Sequence, residues 1–181
     1  MIALIILLII ILLIVYGIHS YNSLQALNAN VDEAESQINI QLQRRADLIP
    51  NLVAIVKGYA KYEGDTLEKI ASLRSGLTSG TMQEKMATNA KLSDTLTQFF
   101  VVAENYPDLK ANSNFASLQE ELTNTENKVG YARQLFNSCV GTYNRALMAF
   151  PGSIIGHLAG LNKRDYLKVD DAVKQAPKVE F

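Results

Sequence analysis

The sequence has few of the residues on which several common kinds of site depend. In 181 residues it contains one cysteine, two histidines, four prolines and no tryptophan. The single cysteine, Cys139, excludes an intramolecular disulfide and fits a reducing compartment. The 17 basic and 18 acidic residues nearly cancel, so we expect no nucleic-acid partner. The scarcity of helix-breaking proline and the abundance of Leu, Ala, Gln, Asn and Glu predict an all-α fold.

An uncharged apolar run opens the sequence at Ile2 and ends at Ile18. As a helix it would reach roughly 26 Å, near the lower limit for crossing a bilayer. A cleavable signal peptide would have a basic start and a small-x-small cleavage site, and the run has neither, so we expect a transmembrane anchor over residues 1–20. The positive-inside rule gives almost no orientation, because the first basic residue is the distant Arg44. The uncharged start and the free thiol favour a cytoplasmic body on a single-pass protein of the inner or plasma membrane.

Four amphipathic stripes follow the anchor, each with apolar side chains at steps of three and four, the pattern of helices that share a core. The second stripe is expected to end near Gly76, in a left-handed cap. The third begins in "SGTMQE", where Thr81 and Glu84 have the capping-box spacing, and Pro107 ends it.

The fourth stripe is the longest, and it ends at Pro151 and Gly152. We expect Asn112, Ser113 or Asn114 to cap its start. The remaining residues show no sustained period. The sequence thus predicts an antiparallel up-and-down four-helix bundle over residues 21–150, and a tail over residues 151–181 that packs only in part.

The stretch "QLQRRADLIPNLV" permits two interpretations. In the first it is a corner between two helices, with Arg44 and Arg45 in a last turn, Asp47 as the next N-cap and Pro50 in a first turn. In the second it is one helix kinked at Pro50, because the apolar register runs on without a phase break. We favour the corner, since short connections between helices of similar length make a four-helix bundle without strain.

Several long stretches resemble the LemA family of bacterial membrane-anchored proteins. They are the apolar start, "YNSLQALNANVDEAESQI", "QLQRRADLIPNLVAIVKGYAKYEGDTLEKI", "ENYPDLKANSNFASLQEELTNTENKV", "YARQLFNSCVGTYNRALMAFPGSII" and the terminal "PKVEF". The resemblance implies a single N-terminal span and an antiparallel four-helix body, and it implies no reaction. It also makes a thiol role for Cys139 doubtful.

Few residues are candidates for chemistry. His19 and His157 have no ligand spacing that would place two donors on one helix face, so we predict no metal site. Cys139 lies beside the core-facing track of the last stripe, where a thiol usually fills space. The sequence has no phosphate-binding glycine loop and no nucleophile motif. We therefore predict no cofactor, no small-molecule substrate and no enzyme.

Two groups of residues are candidates for protein contacts. Thr125, Glu126 and Lys128 lie where the last stripe lacks an apolar residue, and they could form a polar layer that fixes helix register or assembly; a solvated flank is the alternative. If the corner is correct, two helix connections share the membrane-distal tip of the bundle. The residues of this predicted tip are Arg44, Arg45, Asp47, Asn105, Tyr106, Pro107 and Asp108. They would suit a protein partner; the alternative is that they only cap and turn the chain.

The pattern as a whole favours a membrane-anchored scaffold or adaptor that acts through self-assembly or by recruiting another protein. The expected partners are the lipid bilayer and either further copies of the chain or a different protein. The alternative is a regulatory or sensory envelope protein whose bundle responds to a ligand or stress signal. A type IV pilin also begins with a long apolar helix, but it would carry an acidic residue early in the apolar run.

Overall fold

The computed structural model describes residues 1–58 and 64–168, and within these ranges all regular structure is helical. The helices are α1 (Ile2–Lys57), α2 (Gly64–Thr78), α3 (Met82–Ala103), α4 (Pro107–Lys110), α5 (Ser113–Met148) and α6 (Gly152–Leu158). The chain divides into two compact units. The first comprises residues 1–36 and 133–166, and the second comprises the described residues between 37 and 132 together with Leu167 and Lys168.

Helix α1 runs without a break from the apolar start through Pro50. The predicted corner is therefore wrong: Arg44, Arg45 and Asp47 lie inside a helix and cap nothing. The physical reason is the uninterrupted core register of this helix, whose buried positions are Ile38, Leu42, Ala46, Ile49, Leu52 and Val56. The expected second stripe accordingly begins within α1. Tyr59, which fits the apolar register of this stripe, lies outside the described residues.

Pro50 can lie inside α1 because another side chain replaces the hydrogen bond that the proline removes. A proline has no N–H, so the carbonyl four residues earlier, that of Ala46, loses its helical donor. Nε of Arg74, on α2, donates to this carbonyl at 3.1 Å. The carbonyl is thus satisfied from a neighbouring helix of the same unit.

The capping box at the start of α3 is confirmed, whereas the predicted cap at Gly76 is wrong. Thr81 accepts from the backbone N–H of Glu84, and the Glu84 carboxylate accepts from the backbone N–H of Thr81. Helix α2 continues past Gly76 to Thr78, and the left-handed glycine is Gly80, with φ at +94°. A Cβ at Gly76 would lie 2.9 Å from Oγ1 of Thr88 on α3, so this glycine instead lets two helices approach closely.

The third and fourth predicted stripes correspond to α3 and α5. Helix α3 ends at Ala103, and Pro107 begins the single turn of α4. Asn112 is the N-cap of α5: its Oδ1 accepts from the backbone N–H groups of Asn114 and Phe115 at 2.9 and 3.1 Å. The rings of Phe99 on α3 and Phe115 pack edge to face, 6.2 Å apart.

The part of the tail that the structure describes contains a short helix and a segment without regular secondary structure. Helix α6 folds back on the end of α5, with Gly152 and Gly156 buried. Residues 161–168, which we call the strap, follow as this irregular segment. The C-terminal "PKVEF" lies outside the described residues.

Candidate functional site

A buried arginine is the most unusual residue of the second unit. Arg45 occupies a core position of α1, between the buried Leu42 and Ile49, and is 2% exposed. Arginine is seldom fully buried unless its charge is paired. The partners of this side chain therefore decide what the surrounding helices can do.

Three polar side chains surround the guanidinium. Nη1 of Arg45 donates to Oδ1 of Asn89 at 2.5 Å, to Oγ of Ser93 at 3.0 Å and to the carboxylate of Glu126. Oε2 of Glu126 also accepts from Oγ of Ser93 at 2.8 Å and from Nδ2 of Asn89 at 3.2 Å. These four residues, hereafter the Arg45 network, join α1, α3 and α5.

The charge of the Arg45 network rests on one ion pair. Burial lowers the pKa of Arg45 to about 10, so the side chain remains a cation at neutral pH. The Glu126 side chain is 40% exposed and can reach water. Nε of Arg45 is buried without a hydrogen-bond partner. The cation therefore depends on Glu126, and loss of that carboxylate charge would leave it buried without its ion-pair partner.

The three residues of the predicted polar layer lie on different sides of α5. Thr125 is fully buried and donates to the carbonyl of Leu122 at 2.9 Å, and Glu126 belongs to the Arg45 network. Lys128 is exposed. Two of the three residues thus lie at the packed side of α5, and the third faces solvent.

The structure separates the residues of the predicted tip. Arg44 pairs with Glu121 of α5 at 2.7 Å, and both side chains are about half exposed, at 50% and 42%. Asp47 accepts from Nε2 of Gln43 at 2.9 Å. Arg45 contacts α3 at Asn89 and Ser93, and Ser93 lies about 15 Å of helix rise before Ala103, the last residue of α3. The arginine pair and residues 105–108 therefore do not form one cluster around Arg45.

Residues 105–108 form the exposed connection between α3 and α4. Tyr106 precedes α4, Pro107 is its first residue and Asp108 lies in its first turn. An ion pair between Lys110 and Glu104 closes the connection. In the last turn of α3, Val101 and Val102 expose 67% and 44% of their surface. We call the exposed residues of this region the α3–α4 surface; they are Val101, Val102, Asn105, Pro107 and Asp108.

The strap is a site that sequence reasoning missed. Asn144 of α5 is buried and pairs with both backbone groups of Arg164: Nδ2 donates to the carbonyl at 2.9 Å, and Oδ1 accepts from the N–H at 3.0 Å. The Arg164 guanidinium donates to Asp32 of α1 at 2.5 Å. The hydroxyl of Tyr143 donates to the carbonyl of Asn162 at 3.0 Å. The available signal was a polar residue, Asn144, four positions after the core residue Val140.

The surroundings of Tyr143 also alter its acidity. Burial raises the pKa of this tyrosine. The positive charge of Arg164 opposes the rise, and the negative charge of Asp32 adds to it. The phenol therefore stays protonated at neutral pH and remains a hydrogen-bond donor to the strap.

Metal-binding side chains are sparse in the described chain. Over residues 1–58 and 64–168, no group of three or more His, Cys, Asp and Glu side chains could hold a metal ion. His157 is exposed on α6, and Cys139 is half-buried on α5.

Helix α1 has the properties of a membrane span at its N-terminal end. It is the one helix of the described chain that is long and apolar enough to cross a bilayer, and its apolar window is exposed throughout. The first deeply buried side chain after this run is Leu24, at 2% exposure. A segment apolar enough to cross a membrane and the first buried positions of the body thus follow each other along α1.

Comparison with known proteins gives one family. A sequence model of the LemA family matches residues 34–181. The magnetosome protein MamQ of Magnetospirillum gryphiswaldense is 18% identical over 173 residues, which cover 81% of this chain and 64% of the relative. Protein LemA of Metamycoplasma hominis is 24% identical over 131 residues, which cover 71% of this chain and 60% of the relative. The chain thus spans less than two thirds of the length of these relatives.

Proposed function

Since the chain belongs to the LemA family, we propose that it is a membrane-anchored scaffold or adaptor that holds a helical body at the bilayer and binds protein there. The observation that carries the proposal is the continuity of α1, which contains both the exposed apolar run and the buried positions Leu24 and Val31. An unbroken helix transmits position and orientation, unlike a flexible linker. The membrane is the inner or plasma membrane, and the body faces the cytoplasm.

The shape of the body is part of the same proposal. Helices α1, α2, α3 and α5 are the four long helices of the described chain. We propose that they form the antiparallel up-and-down bundle that the sequence favours. In such a body the helix ends and connections are available for contacts with other proteins.

We further propose the α3–α4 surface as the docking site for protein. It combines an exposed apolar pair, Val101 and Val102, with exposed polar groups from Asn105 and Asp108. Mixed apolar and polar surfaces of this kind are common at protein interfaces. The occupant is either a second copy of the chain or a different protein. The relative from Magnetospirillum gryphiswaldense is named as a magnetosome protein, and from this name we take only the idea that the chain acts within a larger assembly.

Photocrosslinking in living cells tests this function. A photoreactive amino acid at position 101 in the full-length protein should give a discrete protein adduct after irradiation. The control is the same substitution at Tyr131, whose exposure of 73% is close to the 67% of Val101. An adduct of twice the chain mass means self-assembly, and another discrete mass means a different partner. No adduct from position 101, or equal adducts from both positions, would contradict docking at the α3–α4 surface.

A sensory role is the second candidate, and the Arg45 network favours it. A buried cation with one ion-pair partner that reaches water gives a packing arrangement that a bound ligand or a charge change could alter. A rise of several degrees in the melting temperature with one small molecule or ion, abolished by Glu126→Gln, would support this role. An unchanged melting temperature across a broad ligand set would leave the scaffold as the better account.

A further inference from the structure

Helix α6 has its faces arranged in the opposite way from a helix on a water-soluble body. Its buried positions are Gly152 and Gly156, Ile155 is half-buried, and its other large apolar side chains, Ile154 and Leu158, are exposed. Ile154 is 54% exposed and Leu158 is 81% exposed, and Phe150 just before the helix is 80% exposed. An amphipathic helix in water buries its large apolar stripe and exposes its small or polar residues. The outer face of α6 would therefore be stabilised by contact with an apolar neighbour.

The inner face of α6 fixes the direction in which this outer face points. A Cβ at Gly152 would collide with the carbonyl oxygen of Ala146, and a Cβ at Gly156 would collide with the side chain of Leu147. Only glycine permits such a close approach. Helix α6 is thus seated directly on the end of α5.

The position of α6 along α1 identifies the neighbour. A Cβ at Gly152 would lie 3.7 Å from Cδ2 of Leu24, so α6 lies at the level of Leu24. Leu24 follows Ile18, the last residue of the apolar run, by only about 9 Å of helix rise. The headgroup layer beside the hydrocarbon core of a bilayer is about 5–8 Å thick. The start of α6 is therefore next to this layer when the apolar run is in a membrane.

The strap shows in which direction along α1 the chain continues after α6. After α6 the chain reaches Arg164, which binds Asp32, about 12 Å farther along α1 than Leu24. The strap thus leads away from the apolar run. Helix α6 is the part of this C-terminal segment that stays closest to the membrane end of α1.

We propose that α6 is a second membrane contact. It inserts Phe150, Ile154 and Leu158 among the lipid chains at the bilayer surface that faces the helical body. Short amphipathic helices bind the interface in this way, with their apolar face at the boundary between headgroups and acyl chains. The inference rests on the membrane anchor of the proposed function and adds a second point of attachment. Two contacts set the tilt and rotation of α1, which a single span leaves free.

Lipid-quenching fluorescence on the full-length protein in nanodiscs tests the proposal. In a Cys139→Ser background, single cysteines replace Ile154 or Leu158 and carry an environment-sensitive fluorophore. The nanodiscs contain lipids with a nitroxide on the acyl chain, or matched lipids without it. The control site is Leu135 on α5, whose exposure of 52% matches the 54% of Ile154. It lies about 20 Å of helix rise before Met148, the last residue of α5. A label at Leu8 reports insertion of the apolar run.

We expect the labels at positions 154 and 158 to be quenched at least roughly threefold more strongly than the label at position 135, because their side chains lie at the acyl boundary. Quenching at Leu8 without stronger quenching at 154 and 158 would overturn the contact of α6 and leave the anchor intact. Blue-shifted but unquenched labels at 154 and 158 would also overturn it, because a protein neighbour would then cover this face. Absence of quenching at Leu8 would overturn the anchor and the contact of α6 together.

Discussion

Arg74 donates from Nε to the carbonyl of Ala46, the backbone acceptor that Pro50 leaves without a helical partner. This contact explains how α1 stays continuous across a residue that commonly ends or kinks a helix. It also joins α2 to α1 at a carbonyl group that accepts no hydrogen bond from the helix backbone. Both helices belong, at this point, to the second unit.

Replacing Arg74 should destabilise the protein only while Pro50 is present. We expect Arg74→Met to lower the free energy of unfolding by about 1 kcal/mol, because the Ala46 carbonyl loses its donor. In a Pro50→Ala background the new N–H at position 50 satisfies that carbonyl, so the same change should cost less than about 0.5 kcal/mol. Urea unfolding of the four proteins, followed by circular dichroism, measures the difference. Equal costs in both backgrounds would contradict this role of Arg74.

Two glutamates on α5 should differ in their effect on stability. Glu126 is the ion-pair partner of the buried Arg45, whereas Glu121 pairs with the half-exposed Arg44. We expect Glu126→Gln to lower the free energy of unfolding by about 2 kcal/mol, since it leaves a buried cation without its ion-pair partner. The matched control Glu121→Gln should cost less than about 0.5 kcal/mol. Similar losses for the two variants in urea unfolding would mean that burial of Arg45 does not govern stability.

Removal of Asn144 should release the strap. Asn144→Ala deletes two hydrogen bonds to the backbone of Arg164, each worth about 1 kcal/mol. If the released strap is the species that a protease cuts, trypsin cleavage after Lys163 or Arg164 should become roughly thirtyfold faster. Thr142→Ala is the control, because Thr142 is exposed on the same helix and contacts Ser138 and Arg145. Unchanged cleavage in Asn144→Ala would show that other contacts hold the strap.

The capping box should contribute to stability in a pH-dependent way. Hydrogen bonds from the backbone N–H and the hydroxyl of Thr81 lower the pKa of Glu84 from its ordinary value of 4.5. A carboxyl group with a lowered pKa in the folded state stabilises that state above its unfolded pKa, and this contribution is lost as the pH falls through the folded value. Glu84→Gln should therefore make the urea midpoint less dependent on pH below 4.5. Parallel pH profiles of the two proteins would refute the contribution of Glu84.

Local signals predicted two helix starts correctly. The spacing of Thr81 and Glu84 and the group of possible caps at 112–114 each act within one or two turns, and the structure confirms these two boundaries. Pro107 does not end α3, which stops at Ala103, and is instead the first residue of α4. Such signals depend on backbone groups that a nearby side chain can or cannot satisfy. They are therefore visible in the sequence itself.

The errors arose where a distant residue decides the local structure. Pro50 and its charged neighbours have good local reasons to form a corner, but Arg74 on another helix satisfies the carbonyl that favours a break. The unbroken apolar register around Arg45 was the correct signal, and it also placed this arginine in the core. The strap has no periodicity, because it is neither helix nor strand and Asn144 holds its backbone. No pattern within residues 161–168 specifies that contact.

The most direct test of the scaffold proposal is the mass distribution of the full-length protein extracted from its own membranes into lipid nanodiscs. We predict a discrete species heavier than one chain in its disc, either an oligomer or a complex with another protein. A variant with Val101→Ser, Val102→Ser and Asp108→Asn should shift this species to the mass of a single chain. A single-chain mass for the unchanged protein, or an assembly that the variant leaves intact, would contradict the proposed docking at the α3–α4 surface; the first result would also contradict the scaffold role itself.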